Sequence, residues 1–417
     1  MSGDNKQTEN IGILPTSIAL PDTDDLTDWA VVACDQFTSE PEYWHKLERL
    51  TAGKKTALDL VLPEIYLNDN LDGRIEKINE NIDNYVKNGC FKFLPNGYVL
   101  TVRSTPYVKK RVGLIGALDL EQYDYSPKSG SLVRATEGTI AERIPPRLKI
   151  RENAAMEFPH VMVLFDDEKK EITERLYERR DALEKLYDFE LNMGGGRLQG
   201  YFVKNCAEIN EKFAALLNEE RLISKYGKPD RFLFAVGDGN HSLATAKAHW
   251  ENVKKTLTAK ECETHPARFA LCEFVNVYDD GIYFEPIHRV VSGVNPKDFF
   301  DGLKKIDAGN IRAYFGTGTY PLYGKASIPD GISEIDAYIA EYLKKHGGEV
   351  DYVHGEENLK RIVDENALKV GVLFDKIDKK DLFGYVSRNG ALPRKTFSMG
   401  EGVEKRYYLE GRMIKIG

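Results

Sequence analysis

Six consecutive residues carry the densest chemistry in the chain: Gly237-Asp238-Gly239-Asn240-His241-Ser242. They follow the apolar run Phe232 to Val236, which predicts a buried strand, and precede a helical pattern that begins near Ser242. A strand, a glycine turn and a helix start present free backbone N–H groups to an anion. The glycines let the backbone approach a ligand closely. On this reading Gly237, Gly239 and Asn240, with Ser242, cradle a phosphate. Asp238 holds Mg²⁺, and His241 is a base or a phosphate partner. The same spacing also suits an ordinary strand-to-helix turn capped by Asn240 or Ser242. It is neither a Walker A loop nor the dinucleotide fingerprint.

Other residues are weaker candidates. His288-Arg289 follows the apolar stretch 282–287; Arg289 suits a phosphate contact and His288 a second titratable group, or both finish a strand. Glu137 and Glu142 lie among Arg134, Arg143 and Arg147. Glu137 there is a candidate general base, with an arginine for an anionic substrate, and the alternative is a solvated loop. Arg394-Lys395 suits a phosphate or a plain surface. Asp35 points into a pocket or caps a turn. The Gly194-Gly195-Gly196 run precedes a strand, so it reads as a flexible turn. His160, His249, His265, His346 and His354 show no ligand spacing and read as structural or surface residues. Cys34 has no evident neighbour to lower its pKa and reads as a core thiol.

The elements that must position these groups follow from periodicity. Strands are expected over 11–20, 28–34, 111–120, 160–165, 198–203, 268–277, 282–287 and 370–375, with a hairpin over 91–102 turning at Pro95-Asn96-Gly97. Helices are expected over 71–88, 169–188, 206–226, 242–256, 297–306, 332–345 and 379–388. Residues 123–151 read as a long polar connection, and the C-terminus as a final hairpin. Mixed hairpins and helices indicate a mixed α/β fold without regular Rossmann alternation.

The whole chain sets bounds. Its 417 residues exceed one typical core and call for two or three lobes. A net charge of −8 argues against non-specific nucleic-acid binding. No apolar run approaches the roughly 20 residues of a membrane span. The start of the chain, 1–10, lacks a signal-peptide core. Five scattered cysteines suggest free thiols in a reducing cytoplasm.

Five short stretches, in order, resemble motifs of the family known as domain of unknown function 1015. They are Val31 to Asp35, Arg134 to Thr139, Gly237 to Ser242, Glu285 to Arg289, and Leu392 to Thr396. The central turn is similar to that family's Asp-Gly-His-His-Arg, with Asn240 in place of the first histidine and Ser242 in place of the arginine. More distantly, the turn resembles that of the ParB and sulfiredoxin superfamily, which includes free-serine kinases. The resemblance implies a ParB/sulfiredoxin-like core with additions, divided into a main region, 1–290, and a C-terminal region, 291–417, that folds back on it. It further implies a nucleotide-dependent enzyme acting on a small molecule by phosphoryl transfer or nucleotide hydrolysis. ATP, ADP or another nucleotide would bind with Mg²⁺. Asp238, His241, Glu137 and His288 would be catalytic, and Gly237, Gly239, Asn240, Ser242, Arg289 and Lys395 would bind the nucleotide. Loss of the motif arginine removes a bidentate phosphate contact and leaves two alternatives, a non-turning-over nucleotide or metabolite sensor and an interaction scaffold.

Overall fold

The computed structural model describes residues 10–139 and 141–416. The chain forms two units, one of 1–282 together with 401–417, the other of 283–400. The boundaries therefore fall at 282/283 and 400/401, and the last seventeen residues belong with the first unit.

The first unit is built on a ten-stranded mixed sheet. In spatial order its strands are Glu184–Leu191, Gly196–Val203, Tyr98–Ser104, Arg111–Asp119, Phe269–Asn276, Met162–Phe165, Phe234–Asp238, Val133–Ala135 and Tyr123–Asp124, with Ile13–Leu14 added on Arg111–Asp119. Its central strands are apolar on both sides, as strands covered on two faces must be. Tyr98, Leu100 and Val102 enter one core while Val99 enters the other; Leu114 and Ile115, like Ala270 and Leu271, divide in the same way. Helices Cys206–Ala215 and Asn240–Val253 cover the first face through Phe213, Leu243 and Trp250. Trp29, Trp44, Ile78 and Ile82 build the second core. The C-terminus is stitched in by two short pairings, Tyr407–Tyr408 on Val31–Val32 and Arg412–Met413 on Met156–Glu157.

Several expectations change. Residues 169–188 hold the short helix Thr173–Glu178 and a 3₁₀ turn, Arg180–Ala182, and the chain is already in the strand Glu184–Leu191 by residue 184. That strand lies at the sheet edge, where solvent-facing charges suit a strand as well as a helix. Residues 91–102 form no hairpin: Phe91–Phe93 pairs with Ala19–Pro21, whereas Tyr98–Ser104 enters the large sheet. The polar stretch 123–151 holds two strands and the helix Ile144–Asn153. The chain end makes no hairpin, because each short strand pairs with a remote one. Among the described residues, no helix is long and apolar enough to cross a membrane.

The second unit is an antiparallel six-stranded sheet ordered Gly318–Leu322, Ile311–Phe315, Lys369–Phe374, Phe284–Ser292 and Glu349–His354, with Phe397–Met399 on the start of Phe284–Ser292. Phe299, Leu303, Ile332, Ile335 and Ile339 from helices Pro296–Leu303 and Ile328–His346 pack on one face. Leu359 and Val363 of helix Glu356–Asp364 pack on the other.

Candidate functional site

The central turn is held open by two glycines with different roles. Opposite Met162–Phe165, the register steps from Val163↔Val236 to Met162↔Asp238, so Gly237 is the extra residue of a β-bulge. The bulge re-aims Asp238 at the strand's end. Gly239 then takes φ +79°, and a Cβ there would lie 3.0 Å from the Val161 Cα, so both conformation and space call for glycine. The helix Asn240–Val253 starts at once, with Gly239 as its N-cap and no side chain capping it. Neither Asn240 nor Ser242 caps it, which sets aside the capped-turn alternative. Its first turn carries no acid, so no carboxylate within that turn offsets the positive end of the helix. Asn240 is buried; its Nδ2 reaches Val236 O at 3.4 Å and its Oδ1 has no hydrogen-bond partner among the described residues.

Across from this turn stands His160, which the sequence reading placed among structural or surface histidines. It is 6% exposed. Its Nδ1 lies 2.7 Å from the Tyr408 hydroxyl, and its Nε2 lies 3.4 Å from both Asp35 Oδ2 and Ser242 Oγ. The Tyr408 hydroxyl donates to Cys34 Sγ at 2.9 Å and accepts the Cys34 N–H at 3.2 Å. With that proton committed to sulfur, Tyr408 is an acceptor for an Nδ1–H, and Asp35 is an acceptor for an Nε2–H. The network therefore suits an imidazolium. Burial by itself lowers the His160 pKa, but the Asp35 charge, its hydrogen bond, and more distant Asp238 and Glu64 outweigh this and raise it above its ordinary value. Burial likewise raises Asp35, yet the His160 charge and hydrogen bond, the Gln36 amide and Lys405 hold its carboxyl well below the usual range. Asp35 and Ser242 share one ring nitrogen, so the three do not form a nucleophilic triad, in which serine and acid occupy opposite nitrogens. Burial, then the Asp35 charge, pushes the Cys34 thiol up to about 12, in agreement with an inert core thiol.

A lysine outside the sequence motifs completes the lip. Lys405 Nζ lies 3.0 Å from Asp238 Oδ2, both side chains being largely buried, while Asp238 Oδ1 accepts the Gly239 N–H at 2.9 Å. The residues do not fit a resident metal held by Asp238. That carboxylate already faces an ammonium, and among the described residues no three His, Cys, Asp or Glu side chains form a metal-binding group. Asp238 instead bridges the Gly239 N–H of the turn and the Lys405 ammonium.

Below Ser242 opens a cavity of about 160 Å³. Leu62, Ile78, Ile82, Ala246 and Tyr408 give it apolar walls, and Arg147, Glu64, Arg151 and Glu157 add charge. Arg147 pairs with Glu64, so of the arginines near Glu137 it is the one that reaches this site. Arg134 is bound to Asp230 through two hydrogen bonds of 2.8 and 2.5 Å, while Glu142 and Arg143 are exposed.

Of the residues singled out in the sequence, Gly237, Asp238, Gly239, Asn240, His241 and Ser242 share the turn, and Asp35 faces it through His160. Glu137 is nearby by register: Val133–Ala135 runs parallel to Phe234–Asp238 with Ala135 opposite Val236, and Thr136 Oγ1 donates to Val236 O at 2.6 Å. His288, Arg289 and Lys395 belong to the second unit. His288 and Arg289 lie inside a strand rather than after it. Arg289 is fully buried; it donates to both Asp336 oxygens at 2.9 and 2.8 Å, to Ile287 O at 2.6 Å and to Lys395 O at 2.7 Å. This corrects its reading as a phosphate contact, because its donors are engaged within its own unit. His288 Nδ1 accepts the Phe374 N–H at 3.3 Å, and burial first of all lowers its pKa to about 4, so it is neutral near pH 7. His160, Tyr408 and Lys405 were missed. Each reaches the site through long-range strand pairing and carries no local signal.

A family model described as protein of unknown function (DUF1015) matches residues 13–390. The chain belongs to the DUF1015 family. No protein of curated function matches it. Solved structures to which it is similar include a conserved hypothetical protein from Pyrococcus furiosus, 8% identical, covering 72% of this chain and 94% of that one at a TM-score of 0.35. A free serine kinase in complex with AMP is 8% identical and covers 72% and 91% at 0.39. SbnI with a C-terminal truncation from Staphylococcus aureus is 10% identical and covers 69% and 82% at 0.34.

In this DUF1015 chain, three of the five motifs lie in the first unit and two in the second. The latter two hold one another: Pro286 pairs with Phe397, Ile287 N donates to Thr396 O, and Arg289 donates to Lys395 O.

Proposed function

We propose that this DUF1015 protein is a nucleotide-dependent enzyme acting on a small molecule, by phosphoryl transfer or nucleotide hydrolysis. One observation carries the reading: an uncapped 14-residue helix start stands beside Lys405 and His160, next to a cavity with mostly apolar walls. Phosphate oxygens would take the first N–H groups of the helix, where dipole and donors act together. Lys405 and His160 would add positive charge, with Asp238 and Asp35 keeping each in place. With its proton held by Asp35, His160 would act electrostatically. Proton removal from an acceptor falls to His241 or Glu137. Mg²⁺ would arrive with the nucleotide phosphates rather than on a protein cage.

A second reading, a nucleotide or metabolite sensor, is favoured by Ser242. Its hydroxyl meets His160 where the family motif carries an arginine, so no guanidinium clamps the transferred group.

The test is a thermal melt with ATP, ADP, AMP and inorganic phosphate. All three tryptophans lie fully buried in the first unit, so their emission reports on the unit that holds the site. A ligand at 100 times its Kd stabilises by about 2.7 kcal/mol. ATP or ADP should raise Tm, and Lys405→Met should weaken affinity about tenfold or more, which cuts that stabilisation to about 1.4 kcal/mol or less. No shift with any of the four at millimolar concentration overturns both nucleotide readings. A shift without phosphate release or transfer to any acceptor selects the sensor.

A further inference from the structure

The cavity beneath Ser242 has a charge pattern that the nucleotide reading does not use. Its roof is the helix Ile144–Asn153, none of whose residues is buried. One turn apart on that helix, Arg147 and Arg151 both line the cavity. Arg147 is balanced by Glu64. Arg151 is not balanced in the same way. Its Nη2 approaches Glu157 Oε2 to 2.7 Å, but Arg412 Nε takes the other oxygen of that carboxylate at 3.0 Å. Two guanidinium groups thus converge on one carboxylate, and Arg412 is the deeper of the two, donating also to Pro266 O at 2.8 Å. Arg151 Nε is buried with no hydrogen-bond partner among the described residues, while Nη2 has only the carboxylate it shares with Arg412. A buried guanidinium nitrogen without an acceptor is costly, and a bound carboxylate would satisfy it while offsetting the second guanidinium charge. The remaining wall is hydrocarbon from Leu62, Ile78, Ile82 and Ala246.

Size narrows the ligand further. The volume of about 160 Å³ falls below the roughly 300 Å³ at which drug-sized ligand pockets begin. It matches a cavity of about 150 Å³, which holds one benzene ring. We propose that this cavity binds a compact apolar monocarboxylic acid, with its carboxylate on Arg151 and its hydrocarbon body in the cavity. This deepens the preceding reading by naming the class of small molecule acted on, and it rests on that reading only for the acid's role as acceptor; binding itself requires no nucleotide.

Isothermal titration of the full chain with 3-phenylpropanoate, 3-phenylpropanamide and succinate, each without nucleotide, tests the idea. The acid should bind at least tenfold tighter than its neutral amide or the polar diacid. Arg151→Gln should remove at least tenfold of that affinity, while Ala246→Leu, which fills the cavity, should abolish it. Absence of acid binding overturns the proposal, as does equal binding of acid and amide by the wild-type chain, a comparison that needs no variant. Acid affinity unchanged in both variants overturns the assignment to this cavity. Acid binding together with failure of ATP, ADP, AMP and phosphate to shift Tm would refute the nucleotide reading alone.

Discussion

Replacing Gly239 by alanine perturbs the site at one carbon atom, and its cost can be worked from the coordinates. The residue sits at φ +79°, where an L-residue pays roughly 1–2 kcal/mol. The new Cβ would lie 3.0 Å from the Val161 Cα and 3.2 Å from its Cγ2. The nearer atom is backbone of the segment that carries His160, so it cannot rotate away. Relieving such overpacking adds about 1–3 kcal/mol, for a total of roughly 2–5 kcal/mol. For a unit larger than 250 residues, 1 kcal/mol moves Tm by about 2 °C, so tryptophan-detected melting should fall by about 4–10 °C. Gly227→Ala is the control. It has the same φ of +79° but nothing within 4 Å of the added carbon, so it should show the backbone cost alone, about 2–4 °C. Because relief must push Val161 and the turn apart, Gly239→Ala should also weaken phosphate or nucleotide binding, and Gly227→Ala should not. If Gly239→Ala melts within 1 °C of Gly227→Ala, the tight approach of turn and His160 segment is wrong, and with it the geometry of the site.

Two further outcomes follow from the charges around His160. Its raised pKa means that its positive charge, and the stability of its pair with Asp35, is fully present below the unfolded imidazole value of 6.5 and is lost as pH rises through the folded value; the lowered Asp35 adds stability above its ordinary 3.8 that is lost as pH falls through its folded value. Anion binding should accordingly weaken on the alkaline side, and Asp35→Asn should lower the NMR-titrated His160 pKa, since the main group opposing burial is then gone; an unchanged titration would refute the pairing. At pH 8 a thiol reagent should modify the half-buried Cys206 and Cys262 well before Cys34, whose pKa is about 12; rapid loss of Cys34, read by mass spectrometry, would contradict its inert setting.

Local signals in the chain carried the core of the site. An apolar run, two glycines and a helical pattern specify strand, turn and helix over 234–253 because each depends on near neighbours. The same locality made helix Leu71–Lys87 and strand Arg111–Asp119 legible. It misled at Glu184–Leu191, where an edge strand keeps its charges in water and so mimics a polar helix. It also placed His288 and Arg289 beside a ligand, whereas burial within a sheet engages them with Asp336 and Phe374.

What the sequence by itself determined, then, is the mixed α/β class, the family motifs and the glycine turn with its open helix start. Only the tertiary structure decided what stands opposite that turn. His160 and Ser242 are 82 residues apart, and Tyr408 is 248 residues from His160. They meet because Tyr407–Tyr408 pairs with Val31–Val32 and draws the end of the chain, with Lys405, to its beginning. Pairing partners so distant in sequence are chosen by burial of both sheet faces at once, a property of the folded whole that no local window contains. The charge state of His160 is decided at the same level, since it depends on an aspartate and a tyrosine that only the fold brings within reach.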